Sequence, residues 1–78
     1  MTKKIHDTTL SLLNGSVRHI RTMIDRGSDS KYILDDLREL QVKADFARDL
    51  AIISDDEHQE FKEQWYHYRE LLEIINEG

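Results

Sequence analysis

Four histidines are the side chains of this 78-residue chain best suited to bind a metal ion: His6, His19, His58 and His67. The carboxylates within reach of them along a helix form only the pairs Asp55–His58, Glu63–His67 and His67–Glu70. Zinc sites in proteins use three or four protein ligands, so pairs of this kind bind metals weakly. The chain also has no Cys. The sequence therefore predicts neither a metal site nor a cofactor.

The remaining polar side chains do not form a pattern typical of catalysis. There is no Gly-x-Ser-x-Gly sequence, no glycine-rich phosphate loop and no thiol nucleophile. The acidic pairs Asp35–Asp36 and Asp55–Asp56 are adjacent in sequence. On a helix their side chains point about 100° apart, which places them poorly for joint acid–base chemistry. We therefore expect a protein that is not an enzyme.

A series of aromatic residues recurs at intervals of four and three positions: Phe61, Trp65 and Tyr68. This spacing places the three rings on one side of a helix, where they can bury a large area. The rings are predicted to lie in the core, and the alternative is an interface with another subunit or another protein, where Trp and Tyr are common anchors. Tyr66 lies off this stripe, so we expect it to be exposed and available to a partner.

The chain that positions these side chains is predicted to be entirely helical, because it has no Pro and only three Gly. A first helix is indicated over about 8–26 by apolar residues spaced three or four apart: Leu10, Leu13, Val17, Ile20 and Ile24. Asp7 or Thr8 is the expected N-cap, and Gly27 is the expected stop. Gly15 lies in mid-helix, where Gly costs about 1 kcal/mol relative to Ala, so it indicates either close approach of a neighbouring helix, which we favour, or a break in the helix.

A second helix is predicted over about 30–51, with Ser28 or Ser30 as its N-cap. Its main apolar stripe consists of Ile33, Leu37, Leu40, Ala44, Ala47 and Ala51. Further apolar side chains widen this stripe: Leu34, Val42, Phe46 and Leu50. Because the stripe is wider than one neighbouring helix requires, we expect this helix to be central and to pack on two sides.

A third helix is predicted over about 55–76, where the same spacing continues: His58, Phe61, Trp65, Tyr68, Leu72 and Ile75. Ser54 and Glu57 are spaced as a capping box, in which each side chain bonds to the backbone N–H of the other residue. We expect His58 to pack against Ile53 in a staple-like contact. The short connections predict three antiparallel helices in an up-down-up arrangement.

Size and charge limit what such a chain can do. A single domain over residues 1–78, of 9.3 kDa, buries a modest core, and short helical chains often gain further burial by oligomerising. We therefore expect a homodimer or a higher homo-oligomer. The net charge is −5, which disfavours nucleic-acid binding. Residues 40–78 carry 4 basic and 10 acidic side chains, interpreted as a solvated surface or, alternatively, a docking surface for a basic partner.

Nothing in the sequence predicts contact with a membrane. No apolar run is long enough to span a bilayer, and Lys3–Lys4 is not followed by the apolar stretch of a signal peptide. We therefore expect a cytoplasmic protein.

One segment of the chain reads G-S-V-R-H-I-R-T-M-I-D-R-G at residues 15–27, followed by Ile33, Leu34 and Leu37. It resembles the first helix and the start of the second helix in the CsoR/FrmR family of small helical repressors. The pattern of that family is roughly G-Q-V-R-G-I-x-R-M-I-E-x-G, a connector, and then I-L-x-Q-L. The resemblance implies a helical hairpin that pairs with a second copy into a four-helix bundle.

The sensing chemistry of that family does not come with the resemblance. The effector-sensing Cys of the family falls on Ser30, and its later His and Cys ligands fall near Asp55 and Gln59. The basic residues that the family places before the glycine are replaced by residues 12–14, Leu-Leu-Asn. The resemblance therefore implies architecture, without metal or thiol sensing. Residues 47–57 also resemble the turn into the last helix of small bacterial four-helix-bundle proteins.

Together these patterns predict a small non-catalytic intracellular regulator or adaptor that binds another protein as a helical oligomer. Nine residues are predicted to form its core or its subunit interface: Leu13, Val17, Ile20, Leu37, Leu40, Phe61, Trp65, Tyr68 and Leu72. The candidates for partner binding are Tyr66, Arg18 and Arg21. One alternative is a transcriptional repressor with a divergent effector site, whose DNA-facing residues are Arg18, Arg21, Arg26 and Lys31. Another is an inhibitor that imitates nucleic acid through its acidic C-terminal half.

Overall fold

Three α-helices form the fold in the computed structural model of this protein, which describes the backbone of residues 2–77 and the side chains of residues 3–75. They are α1 Thr2–Asp25, α2 Ser30–Asp49 and α3 Asp55–Glu77, and the described residues contain no strand. The prediction of an all-α fold with three antiparallel helices is confirmed. α2 packs against both other helices, whereas α1 and α3 contact each other much less. α2 is therefore the central helix.

α1 begins at Thr2 rather than near residue 8, so neither Asp7 nor Thr8 is its N-cap. The predicted boundary was wrong because the apolar spacing starts only after this segment, while a contact between helices holds the additional turns. His6 Nε2 lies 2.8 Å from Glu57 Oε2 in the first turn of α3. The carboxylate of Asp7 lies 3.1 Å from the other ring nitrogen of His6, so it bonds to a side chain and not to the helix backbone.

α1 ends at Asp25, and Gly27 provides the stop directly after it, as predicted. Gly27 has a φ of +71°, the left-handed conformation that glycine adopts readily. Its N–H donates to the carbonyl of Ile24 at 3.1 Å, and the N–H of Ser28 donates to the carbonyl of Met23 at 2.9 Å. These two bonds form a Schellman motif and satisfy carbonyls that the helix end leaves open.

The N-cap of α2 is Asp29, not Ser28 or Ser30 as predicted. One carboxylate oxygen of Asp29 accepts a hydrogen bond of 3.0 Å from the N–H of Lys31. The prediction was wrong because a carboxylate caps as well as a hydroxyl, and its negative charge also favours the positive end of the helix dipole.

α2 ends in a second Schellman motif, but here an alanine takes the position usually held by glycine. Ala51 has a φ of +58° and donates to the carbonyl of Arg48 at 2.9 Å. The N–H of Ile52 donates to the carbonyl of Ala47 at 2.8 Å. The prediction that the helix and its apolar stripe continue through Ala51 was wrong, because this turn exposes Ala51 and buries Ile53 instead.

The predicted capping box at the start of α3 is confirmed. The N–H of Ser54 donates to Glu57 Oε1 at 2.9 Å, and the N–H of Glu57 donates to the Ser54 hydroxyl at 3.1 Å. Both backbone donors at the helix start are satisfied in this way, so α3 begins at Asp55 as the sequence predicted.

The core lies where α2 faces the other two helices. All nine residues predicted to be core or interface are buried within the single chain: Leu13, Val17, Ile20, Leu37, Leu40, Phe61, Trp65, Tyr68 and Leu72. Four further apolar residues complete it: Ile33, Ala44, Ala47 and Ile53. His58 is the one buried polar residue among the side chains of residues 3–75.

Gly15 is not a point of close approach between helices, contrary to the prediction. Apart from the backbone of its own helix, the nearest atom to a Cβ built at Gly15 is Arg18 Nη2, at 4.0 Å. Gly15 lines the open groove between α1 and α2, which leaves room for a methyl group. α1 packs instead through a different side, which carries Leu13, Val17 and Ile20.

Candidate functional site

The three residues predicted to bind a partner are exposed, but the structure does not bring them together. Tyr66 is 48% exposed, and its ring lies 6.0 Å from that of Trp65 at an angle of 53°. Arg18 and Arg21 line a groove of about 750 Å³ between α1 and α3, and Tyr66 lies outside it. The protein therefore presents the tyrosine and the two arginines on different surfaces.

The groove between α1 and α3 contains charges of both signs. Arg18 and Arg21 line it from α1, and Glu60 and Glu63 line it from α3, with His67 beside them. Guanidinium and carboxylate groups so placed attract each other, and their fields partly cancel. A polyanion that approached this groove would have to compete with the two carboxylates.

Five large apolar side chains are exposed where α1 and α2 lie side by side, and we call them the α1–α2 face: Ile5, Leu12, Val42, Phe46 and Leu50. Val42 and Phe46 on α2 and Leu50, the C-cap residue directly after it, recur every four residues and so lie along one side of the helix. Ile5 and Leu50 line the same hollow of about 350 Å³. Leu12 and Glu39 line the same groove between α1 and α2. Phe46 follows Glu39 by two helical turns and so lies on the same side of α2. The wide stripe of α2 is therefore not buried within one chain.

The opposite side of α2 forms a smaller groove with α3, of about 220 Å³. Leu34, Leu37 and Trp65 provide its apolar lining, and Arg38 and Arg69 stand on either side as cations. Among the described residues that line this groove, none is acidic. The α2–α3 groove therefore combines an apolar floor with a positive rim.

A buried imidazole lies between α2 and α3. His58 is 5% exposed, and its Nε2 lies 2.6 Å from Asp45 Oδ1. Its Nδ1 lies 3.4 Å from Arg48 Nη1, and its ring lies at 82° to that of Trp65, with the ring centroids 5.9 Å apart. With the proton on Nε2, the ring donates to the carboxylate of Asp45 and accepts from the guanidinium of Arg48. Both nitrogens of this buried ring thus have partners, which makes the site structural.

A second histidine connects the start of α1 to the start of α3. His6 Nε2 lies 2.8 Å from Glu57 Oε2, and His6 Nδ1 lies 3.1 Å from Asp7 Oδ1. The hydrogen bond to Asp7, followed by that to Glu57, raises the pKa of His6 above its ordinary value of 6.5. The hydrogen bond from the backbone of Ser54, together with His6, lowers the pKa of Glu57 below 4.5. Two acceptors at the two ring nitrogens favour the imidazolium form.

Sequence reasoning missed the partners of both histidines. It paired His58 with Asp55 on the same helix, whereas the observed hydrogen-bond partners of His58, Asp45 and Arg48, lie on α2. It also gave His6 no partner on another helix. Neither pair follows a spacing within one helix, so no signal in the sequence could have found them.

No group of three or more His, Cys, Asp or Glu residues is placed to hold a metal ion in the part of the chain that the structure describes. Over the same part, no helix has both the length and the apolar character needed to cross a bilayer. Comparison with family models, with curated proteins and with solved structures finds no match to this chain.

Proposed function

We propose that this protein is a small non-catalytic regulator or adaptor in the cytoplasm, which acts by binding another protein as a helical oligomer. The observation that carries this proposal is the exposure of large apolar side chains on all three helices, each 41–69% exposed. An apolar surface of this kind, when contiguous and rimmed by polar residues, usually marks a site of protein interaction.

These side chains are exposed around a core that is already closed. Among the side chains of residues 3–75, thirteen apolar ones are buried in the core. Among the described side chains, no buried nitrogen or oxygen lacks a hydrogen-bond partner. The exposed residues are thus surplus to the packing of one chain, and binding is the role that suits them.

The α2–α3 groove is the surface that we assign to the other protein. Leu34 offers an exposed apolar side chain above the buried Trp65, and Tyr66 stands next to Trp65 with about half of its surface open. Tyr and Trp are the residues most often found to dominate binding energy at interfaces. Because Arg38 and Arg69 flank the floor, the partner should insert an apolar side chain next to carboxylates.

The test is photo-crosslinking in the cells that produce the protein, with p-benzoylphenylalanine in place of Tyr66. We expect a covalent adduct with a different protein, whose mass is not a multiple of the chain mass. The matched control carries the same group in place of Glu60, which is exposed on α3 but faces the α1–α3 groove. This control should not form the adduct.

A charge-reversal variant ties the adduct to the groove. Replacing Arg38 and Arg69 with Glu should abolish the adduct formed from position 66, because the carboxylates of the partner would then be repelled. Adducts that contain only copies of this chain, or an adduct that persists after charge reversal, would contradict the proposed binding of another protein at this groove.

A further inference from the structure

The α1–α2 face is an apolar surface without a partner in the single chain. Its five side chains are 53–69% exposed, and they come from two adjacent helices rather than one: Ile5, Leu12, Val42, Phe46 and Leu50. Charged side chains border it, including Glu39 and Lys43, which form an ion pair of 3.0 Å along α2. An apolar centre with a polar border is the usual composition of a protein interface.

The total surface of the chain exceeds what a compact monomer of this mass exposes. The chain of 9.3 kDa exposes 5839 Å², because it is a rod of 46 × 19 × 15 Å. Surface scaling gives about 5,000 Å² for a folded monomer of this mass, so the excess is roughly 800 Å². One subunit in a dimer interface of standard size buries about 800 Å². Side-by-side packing of two rods would remove the excess.

The distribution of charge favours a second copy of this chain on this face. α3 carries 8 acidic and 2 basic residues, a net charge of 2 − 8 = −6. α1 carries 4 basic and 2 acidic residues, and α2 carries 4 basic and 5 acidic, so the pair has a net charge of 8 − 7 = +1. Two copies joined through α3 would oppose −6 with −6. Two copies joined through α1 and α2 meet with little repulsion and keep the acidic helices apart.

We propose that a second copy of this chain covers the α1–α2 face in a two-fold symmetric dimer. In such an isologous interface the same patch from each subunit is buried, so that Phe46 and Leu12 lie near its centre. The inference rests on the proposed function, in which the chain acts as an oligomer, and it assigns that oligomer a surface. The α2–α3 groove stays open for the other protein on the opposite side of α2.

The test is the mass in solution, measured by light scattering after size exclusion, for the wild type and two matched variants. Phe46→Asp adds a charge at the centre of the face, and Ile74→Asp adds the same charge at an equally exposed position on α3. We expect twice the chain mass for the wild type and for Ile74→Asp, and a twofold lower mass for Phe46→Asp. Circular dichroism should show equal helicity in all three, since both positions are exposed.

A wild type with the mass of one chain would overturn the inference, and so would a Phe46→Asp variant that stays dimeric. Equal dissociation of both variants would also overturn it, because the effect would then be one of charge alone. Leu12→Asp provides a second variant at the face and should dissociate like Phe46→Asp. A monomeric wild type that still forms the position-66 adduct would contradict the dimer and support the binding of another protein. A dimeric wild type without that adduct would support the dimer and contradict the binding of another protein at the α2–α3 groove.

Discussion

Ala51 holds a left-handed backbone conformation that costs an alanine about 1–2 kcal/mol and a glycine almost nothing. We therefore expect Ala51→Gly to raise the free energy of unfolding by about 1 kcal/mol, with part of the gain offset by the greater freedom of Gly in the unfolded chain. Urea denaturation measures this change. The control is Ala47→Gly, in the last turn of α2, which should lower the free energy of unfolding because Gly is a poor helix former. A loss of stability in Ala51→Gly would mean that the turn has a different geometry.

Gly15 is the converse case, a glycine in a position where the helix has no need of one. A methyl group there would meet only the end of the Arg18 side chain, at 4.0 Å. Gly15→Ala should therefore raise the free energy of unfolding by about 1 kcal/mol, the difference in helix propensity. The same urea titration checks it, and a destabilised variant would point to a neighbour pressed against this position.

His58 depends on Asp45 because its ring is buried between two helices. Asp45→Ala leaves the Nε2–H of a buried imidazole without its acceptor at 2.6 Å, which should cost about 1–3 kcal/mol in the free energy of unfolding. Asp49→Ala is the matched control, since Asp49 has only an exposed contact with Arg48 at 3.5 Å and should change stability by less than about 0.5 kcal/mol. Equal effects in the two variants would show that the buried hydrogen bond contributes nothing specific.

At the scale of elements, the first turns of α1 are held to α3 by the pair His6–Glu57, whose contribution depends on pH. The raised pKa of His6 stabilises the fold fully below 6.5, and this contribution is lost as the pH rises through the folded-state pKa. The lowered pKa of Glu57 stabilises the fold fully above 4.5, and this contribution is lost as the pH falls through its folded-state pKa. The pair is therefore most effective between pH 4.5 and 6.5.

The variant His6→Gln tests this dependence. Its deficit in unfolding free energy relative to the wild type should be largest between pH 4.5 and 6.5 and should shrink towards pH 8, in urea titrations at each pH. His67→Gln, on the α1–α3 groove, is the control. A deficit for His6→Gln that does not change between pH 5 and 8 would contradict the electrostatic origin of this contact.

The helices and their buried stripes could be predicted because apolar residues spaced three or four positions apart show the period of an amphipathic helix directly. Ile20, Leu40 and Leu72 are buried where that period places them. The pairs His58–Asp45 and His6–Glu57 could not be predicted, because they depend on how far one helix is shifted along its neighbour. The exposure of the apolar side chains beside the main stripe of α2 could not be predicted either. Their spacing is the same whether the helix that covers them belongs to the same chain or to another.

At the scale of the whole molecule, the charge distribution predicts no general affinity for DNA. The net charge is −5, and Arg18 and Arg21 share their groove with Glu60 and Glu63. We expect no binding of duplex DNA in fluorescence anisotropy, even at low salt. A variant with Gln in place of Glu60 and Glu63 lacks the competing carboxylates. Comparing its DNA binding with that of the wild type shows whether those carboxylates oppose binding. Binding by the wild type that weakens steeply with salt would instead favour the repressor alternative.

Three antiparallel helices with short connections can be arranged in two ways, with α3 on one side of the α1–α2 pair or on the other. An apolar stripe is compatible with both arrangements. Asp45 lies on the side of α2 that faces α3, and in the reversed arrangement it would point away and leave His58 buried without an acceptor. The hydrogen bond between His58 and Asp45 therefore favours the observed handedness of the bundle over the reversed one.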